Sequence, residues 1–444
     1  MKLVIRASAL IGAVVFALAL AGSAASAAPI IINITGPGGQ VSPIAVSGLK
    51  NLGGDDDHRV GNAFVSTLRR DLELSGYFRL LDPHAYIEDP QTSGFELGQF
   101  NFADWRSINA DFLVKGSVNA SGGAGVKVTA YLYDVAQQRR MMGKSYSGDA
   151  GDVTRMARRF ADAILEAATG QKGPFDSKLG FVSTGGGRAK EIYTQSIDGQ
   201  DLIKLTSNPT INLFPSFDRS TNHLLYLSYK SFEPALYLVD LKAQTEMKIT
   251  SPHGRVIGGT LSPDGEQIVA AIERGGITNL FLLTRDGAEI RQLTDTSGIN
   301  VSPAFSPDGA RLAFTSDRSG TPQIYLMTVS GGSPKRVTYS GDYNTTPAFS
   351  PKGEKLAYQS RNNGRFDIFT IPIEGGDPTQ VTDGNGSNEY PSWSPDGRYL
   401  AFSSTRAHNS RIYIMMVGNR KIISALTEGI GNDSCPAWSG WLGE

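Results

Sequence analysis

One short phrase, repeated at a fixed interval, limits the possible folds of this chain more than any other feature. Phe305-Ser306-Pro307-Asp308-Gly309 recurs as Leu261-Ser262-Pro263-Asp264-Gly265, as Phe349-Ser350-Pro351-Lys352-Gly353 and as Trp393-Ser394-Pro395-Asp396-Gly397, 44 residues apart each time. Phe217-Asp218-Arg219-Ser220 is a weaker copy 44 residues earlier, and Trp438-Ser439-Gly440 follows Trp393 by 45. Two other landmarks keep the same phase. An aromatic stands at Tyr193, Tyr237, Phe281, Tyr325, Phe369 and Tyr413, and a threonine at Thr206, Thr250, Thr294, Thr338 and Thr382, with Thr427 one residue late. The period matches the ~40–45 residues of a four-stranded propeller blade.

The fourth unit shows the strands. Strand A ends at Ala304-Phe305, and Pro307-Asp308-Gly309 makes a tight turn, because Pro presets φ and Gly tolerates the exit. Arg311 to Thr315 is strand B, Gln323 to Val329 strand C and Pro334 to Thr338 strand D, all with short β-type alternation. The aromatics of A and C are expected to fill the space between blades. Six C landmarks and six D landmarks predict six blades. The first unit has B (Leu179 to Thr184), C (Glu191 to Ile197) and D (Leu202 to Thr206) but no A before them. Pro436-Ala437-Trp438 should therefore return to the first blade as its inner strand, sealing the ring and protecting exposed edges.

Residues 41–170 read as a separate α+β domain, a mixed sheet with two main helices. Strands are expected at Pro43 to Leu49, Tyr77 to Leu81, Phe112 to Ala120, Val126 to Val135 and Arg139 to Ser147. Helices are expected at His58 to Ser75, Phe102 to Asn109 and Asp152 to Ala168, where apolar residues recur on one stripe. Asp55-Asp56-Asp57 suits the start of the first helix. A Gly/Pro linker over 171–178 leads into the propeller, 179–444. The predicted fold class is thus an α+β N-terminal domain followed by an all-β six-bladed propeller closed by the C-terminal strand.

The first residues carry a secretory signal. Lys2 and Arg6 precede an uncharged run from Ala7 to Ala21, and Ala25-Ser26-Ala27 fits an A-x-A cleavage site. Residues 1–27 are read as a signal peptide, too short in its apolar run to span a bilayer. Residues 28–40 follow as a segment in which Pro29, Ile30, Ile31, Ile32, Asn33 and Ile34 are apolar and β-prone, with a Gly/Pro hinge behind them. It reads either as a first strand of the sheet or as a tethered strand able to add to a partner's sheet edge.

Chemistry is poorly represented. Lys and Arg total 42 against 43 Asp and Glu, a net charge of −1, which argues against nucleic acid or anionic membrane as a ligand. No G-x-S-x-G, H-E-x-x-H or P-loop motif occurs, and the five histidines have no ligand spacing. Gly185-Gly186-Gly187 joins two strands rather than opening a helix. Asp383, Asn385, Ser387 and Glu389 only weakly imitate a calcium loop, since the distal bidentate Glu is missing. Cys435 is the single cysteine, read as a buried small hydrophobe. No catalytic residue, cofactor or metal is expected. The alternatives kept open are a propeller hydrolase or lactonase with a channel metal, and a peptidoglycan-binding propeller.

A signal peptide, a small α+β domain and six Ser-Pro-Asp-Gly blades, in that order, resemble the TolB family of the Tol–Pal cell-envelope system of Gram-negative bacteria. The resemblance covers essentially the whole mature chain. It implies a periplasmic, monomeric protein-binding scaffold that supports outer-membrane integrity and constriction at cell division. It implies two partners, with other peptidoglycan-associated envelope proteins as further possibilities. The lipoprotein Pal would bind one propeller face and TolA would bind the segment Pro29 to Ile34. The Pal face would be built from loops joining strand D of one blade to strand A of the next. By position these offer Asn212, His253, Arg255, Asn300, Val301, Tyr343, Asn344, Glu389, Tyr390 and Asn432.

Overall fold

The structure, a computed structural model, describes residues 41–120, 125–249, 253–418, 420–427 and 431–443. The expected signal peptide and the segment Pro29 to Ile34 lie outside them. The N-terminal domain is a mixed sheet with two long helices on one face. Its strands are β1 (Ser42–Val46), β2 (Lys50–Asn51), β3 (Phe78–Leu80), β4 (Phe112–Asn119), β5 (Val126–Asp134) and β6 (Arg139–Gly148). The sheet order is β3-β1-β4-β5-β6, with β2 also on β4. β1 runs parallel to β3 and β4, whereas β4, β5 and β6 form an antiparallel meander. Helices α1 (Arg59–Leu74) and α3 (Val153–Thr169) pack Phe64, Leu68, Phe160 and Ile164 onto Val114, Val128 and Leu132. The short helix α2 (Phe102–Ser107) brings Trp105 under the opposite face, against Leu113 and Tyr133.

Local chemistry explains these boundaries. The Asp55 carboxylate accepts the amides of Val60 at 2.9 Å and Gly61 at 2.8 Å, and Asp57 accepts that of Arg59 at 3.2 Å, so two aspartates of the acidic triplet satisfy three orphan donors at the start of α1. Gly170 ends α3 in the left-handed conformation at φ 75°, where a Cβ would add strain. The free edge of β6 carries Arg140 and Lys144, charges of the kind that discourage strand addition.

The rest of the chain forms six four-stranded antiparallel sheets around a channel. Blades 2 to 6 run A to D in chain order, with inner strands Asn212–Phe217, Arg255–Leu261, Asn300–Phe305, Asn344–Phe349 and Asn388–Trp393. Blade 1 takes strands B to D from Ser177–Ser183, Glu191–Ser196 and Ile203–Lys204. Its inner strand is Asp433–Trp441, paired antiparallel to Ser177–Ser183. The ring is closed by the strand that the 44-residue phase requires.

Within a blade the aromatics do more than fill gaps. The strand-C aromatic stacks on its cross-strand partner in strand B, as in Tyr226 on Tyr237, Phe314 on Tyr325 and Phe402 on Tyr413, with centroids 5.7 to 6.2 Å apart. Blade 3 has Ala270 opposite Phe281, and the Arg274 guanidinium covers that ring at 4.1 Å instead.

Candidate protein-binding face

Strand direction gives the propeller two unlike ends. The A-to-B and C-to-D turns share one end; the B-to-C turns and D-to-A loops share the other. The Ser-Pro-Asp-Gly phrase fixes the first kind of turn. In blade 3 the Ser262 hydroxyl accepts the Gln267 amide at 2.9 Å and bonds the Asp264 carboxylate at 2.5 Å, while Gly265 holds φ 77°. That hydroxyl bond holds the Asp264 carboxyl below the usual carboxylate range.

The N-terminal domain occupies this first end, over blades 1 and 6. Arg398, just after the blade 6 turn, bonds Asp396 at 2.6 Å and reaches the Thr169 hydroxyl and Lys172 carbonyl. Tyr399 is buried and donates to the Ser75 carbonyl at the end of α1 at 2.8 Å. Trp441 donates to the Gly173 carbonyl at 2.8 Å. The loop end of the propeller is left uncovered among the described residues.

A repeated polar knot organises that loop end. In blade 4 the Asn300 side-chain amide donates to the Thr278 carbonyl at 3.0 Å, to Asn279 Oδ1 at 3.0 Å and to Thr296 at 2.9 Å. Its carbonyl accepts from Arg318 Nη2 at 2.8 Å. Asn212 makes the equivalent bonds to Lys190 and Glu191, Asn344 to Gln323 and Ser340, and Asn388 to Asp367 and Arg406. In each case a threonine two residues after strand D completes the knot by bonding the same strand-C residue, as Thr294 does with Asn279.

This corrects three of the expected contact residues. Asn212, Asn300 and Asn344 are fully buried, with their side-chain amides committed to the knot, so they hold the loops rather than face a partner. The residue immediately before the equivalent strand position is exposed in four blades, at Ile211, Arg255, Ile299 and Asn432, and half-buried in two, at Tyr343 and at Ser387, whose hydroxyl bonds Glu389. Arg255, Tyr343 and Asn432 were expected at the face; Ile211 and Ile299 were missed. The signal was present, because Ile211 and Ile299 stand two repeats apart and one residue ahead of the knot.

The other expected residues divide into rim and channel. His253 is exposed at the rim, its carbonyl fixed by Arg274. Tyr343 packs edge-on against Phe366 at 5.8 Å and lies under Arg361 at 4.9 Å, forming an aromatic and cationic corner. Asn432 is exposed and accepts the Ser410 amide. Glu389 is half-buried and accepts from the Ser387 hydroxyl at 2.8 Å. Val301 and Tyr390 line the channel. Phe232, in the B-to-C turn of blade 2, is wholly exposed, and Ile277 in blade 3 adds to the same end. Neither hairpin tip has a spacing that would mark it as functional.

The channel itself has a volume of about 930 Å³ and is lined by the inner strands of blades 2 to 6 and by the closing strand. Five of the six inner strands carry a bulge with a left-handed residue, at Phe214, Ser302, Thr346, Tyr390 and Cys435, each followed by proline. Proline is tolerated there because the inner strand is an edge with no ladder on the channel side. Phe214 and Tyr390 approach to 6.2 Å between centroids and narrow the loop end. Burial pushes the Cys435 thiol up to about 12, which keeps it protonated and unreactive. No group of three His, Cys, Asp or Glu side chains comes together for a metal among the described residues.

Residues 165–388 and 346–440 match the family model of the TolB β-propeller domain, and residues 30–141 match that of the TolB amino-terminal domain. The chain belongs to the TolB family. The Tol-Pal system protein TolB of Desulfosudis oleivorans is 36% identical over 268 residues, covering 60% of each chain. That of Anaeromyxobacter dehalogenans is 35% identical over 288 residues, 64% of this chain and 65% of the relative. The chain thus spans less than two thirds of the length of these relatives. The crystal structure of TolB from Acinetobacter baumannii superposes with a TM-score of 0.77 at 25% identity, over 90% of this chain and 96% of that one. A chain of the nidogen/laminin complex, at 13% identity and a TM-score of 0.51, shares the fold alone.

Proposed function

We propose that this TolB-family chain is a non-catalytic periplasmic scaffold of the Tol–Pal system. Residues 1–27 direct export and residues 28–40 form the partner-binding segment. Residues 41–170 form the N-terminal domain, and the propeller of residues 179–444 takes in Ser177 and Lys178 as well, because these two pair in blade 1 and shorten the linker expected over 171–178. The loop face of the propeller binds Pal, and the segment Pro29 to Ile34 binds TolA, so that the protein bridges the two in support of outer-membrane integrity and of constriction during division. The observation that carries the reading is the rim of exposed and half-buried residues in 44-residue phase, which no other described residue covers, since the N-terminal domain docks at the other end. Rigid scaffolds commonly carry function on such loops. Arg255, Tyr343 under Arg361, and Phe232 supply the cationic and aromatic anchors typical of protein interfaces.

The test is capture of purified Pal and TolA by three forms of the protein: one beginning at Ala28, one beginning at Val41, and a His253→Ala/Tyr343→Ala double variant. The shortened form should keep Pal and lose TolA. The double variant should weaken Pal at least tenfold, equal to about 1.4 kcal/mol, and keep TolA. A shortened form that retains TolA, or a double variant with unchanged Pal affinity by calorimetry, removes the corresponding site.

A further inference from the structure

The contact between the N-terminal domain and blade 1 contains an acid with nothing to bond. Asp71, on the inward face of α1, is fully buried, and neither of its carboxyl oxygens has a hydrogen-bond partner among the described residues. The groups that face it come from every element packed there. Arg158 and Asp162 come from α3, Asp198 from the C-to-D turn of blade 1, and Arg70 from α1 itself. On the blade 6 side, one turn along the helix, the buried Tyr399 phenol, raised well above its ordinary range, donates to the Ser75 carbonyl.

The buried arginine of this cluster is already engaged. Arg158 binds Asp198 through Nε and Nη2 at 3.1 to 3.3 Å, and Asp201 through Nη1 at 2.8 Å. Asp201 also accepts the Ser196 hydroxyl. Two propeller carboxylates on one guanidinium already leave the cluster with a net negative charge. A third carboxylate at Asp71 would be buried, unbonded and next to like charge, a combination that protein interiors strongly disfavour. A neutral carboxylic acid avoids that cost.

We propose that Asp71 is carried protonated in the docked molecule and that its proton is a latch, setting how tightly the N-terminal domain is held on blade 1. Separation of α1 from blade 1 admits water, and the freed carboxyl ionises, so opening releases a proton. Burial first, then the Asp198 charge, raise the docked carboxyl well above the ordinary carboxylate range. The sign follows. Below the ordinary carboxylate range the acid is neutral both docked and free, and docking is at full strength. As pH rises toward the raised docked value, docking weakens by up to tenfold per pH unit, the limit for one proton. The latch acts through α1 as a whole, because Thr67 meets Gln200 at 3.3 Å and the Ser75 carbonyl meets Tyr399 on the same helix.

The experiment is native-state hydrogen exchange on the full mature chain from pH 5 to 8, corrected for intrinsic rates. It follows peptides covering α1 and residues 191–201, with residues 311–328 of blade 4 as an internal control. The wild type should lose up to tenfold protection per pH unit at the contact relative to Asp71→Asn, with blade 4 unchanged in both. Asp71→Leu, which removes charge and polarity together, should follow the Asn variant and covers the case in which an asparagine amide is not accommodated. Parallel pH profiles for wild type and both variants, or a pH response shared equally by blade 4, would overturn the latch.

Discussion

At the scale of single residues, the propeller separates holding from touching by one position in the chain. Asn300 and its repeats hold; the residues just before them are exposed or half-buried. Asn300→Ala removes the donors to Thr278, Asn279 and Thr296 and the acceptor for Arg318, leaving buried groups unpaired. It should destabilise the protein by about 2–4 kcal/mol in denaturant unfolding. His253→Ala, at an exposed rim position, should stay within about 0.5 kcal/mol of wild type. The knot was partly legible. Its threonines were visible as a 44-residue landmark, but the asparagines were read as loop surface because they follow strand D. Their burial goes with the bonds each makes to strand C of the preceding blade, a contact that a linear pattern does not encode. Glu191, Asn279, Gln323 and Asp367 recur in the same phase yet differ in type, so they give no motif.

At the scale of elements, the closing strand joins the two ends of the ring. Asp433–Trp441 supplies Cys435 and Trp438 to cores shared with neighbouring blades, and Trp438 also donates to Ser177 at 2.9 Å. Removing Ser434 to Glu444 exposes the edge of Ser177–Ser183 along its length. Loss of this much apolar burial should lower the thermal midpoint by about 10 °C or more, followed by circular dichroism. This closure was readable from sequence because the count of A strands fell one short at one end and reappeared at the other. The main N-terminal helices and strands were readable to within three residues at their ends, because helix and strand periods differ there, whereas the two-residue β2 is too short to show a period. The way the two domains meet was not, since its contacts, such as Arg398 to Thr169, join residues with no shared pattern.

At the scale of the whole molecule, the N-terminal domain and blades 1 and 6 share one hydrophobic core, from Phe64 and Phe160 to Leu179, Ile412 and Trp438. The domains therefore behave as one body unless that core is weakened. Tyr399→Phe deletes the buried bond to the Ser75 carbonyl and leaves that carbonyl without its partner. The variant should lose about 1–3 kcal/mol of stability and become more susceptible to limited proteolysis between Gly170 and Ser177, while blades 3 to 5 keep their exchange protection. Equal susceptibility of the two proteins would mean that the shared core alone fixes the domains.

The sealing strand also sets an order of events during synthesis. Strand B of blade 1 leaves the ribosome about 250 residues before the segment that pairs with it. At roughly 5–20 residues per second that is a wait of about 12–50 seconds. For that interval the nascent chain carries an unfinished blade whose bare margin is open to chaperones, to the translocation machinery or to a neighbouring polypeptide.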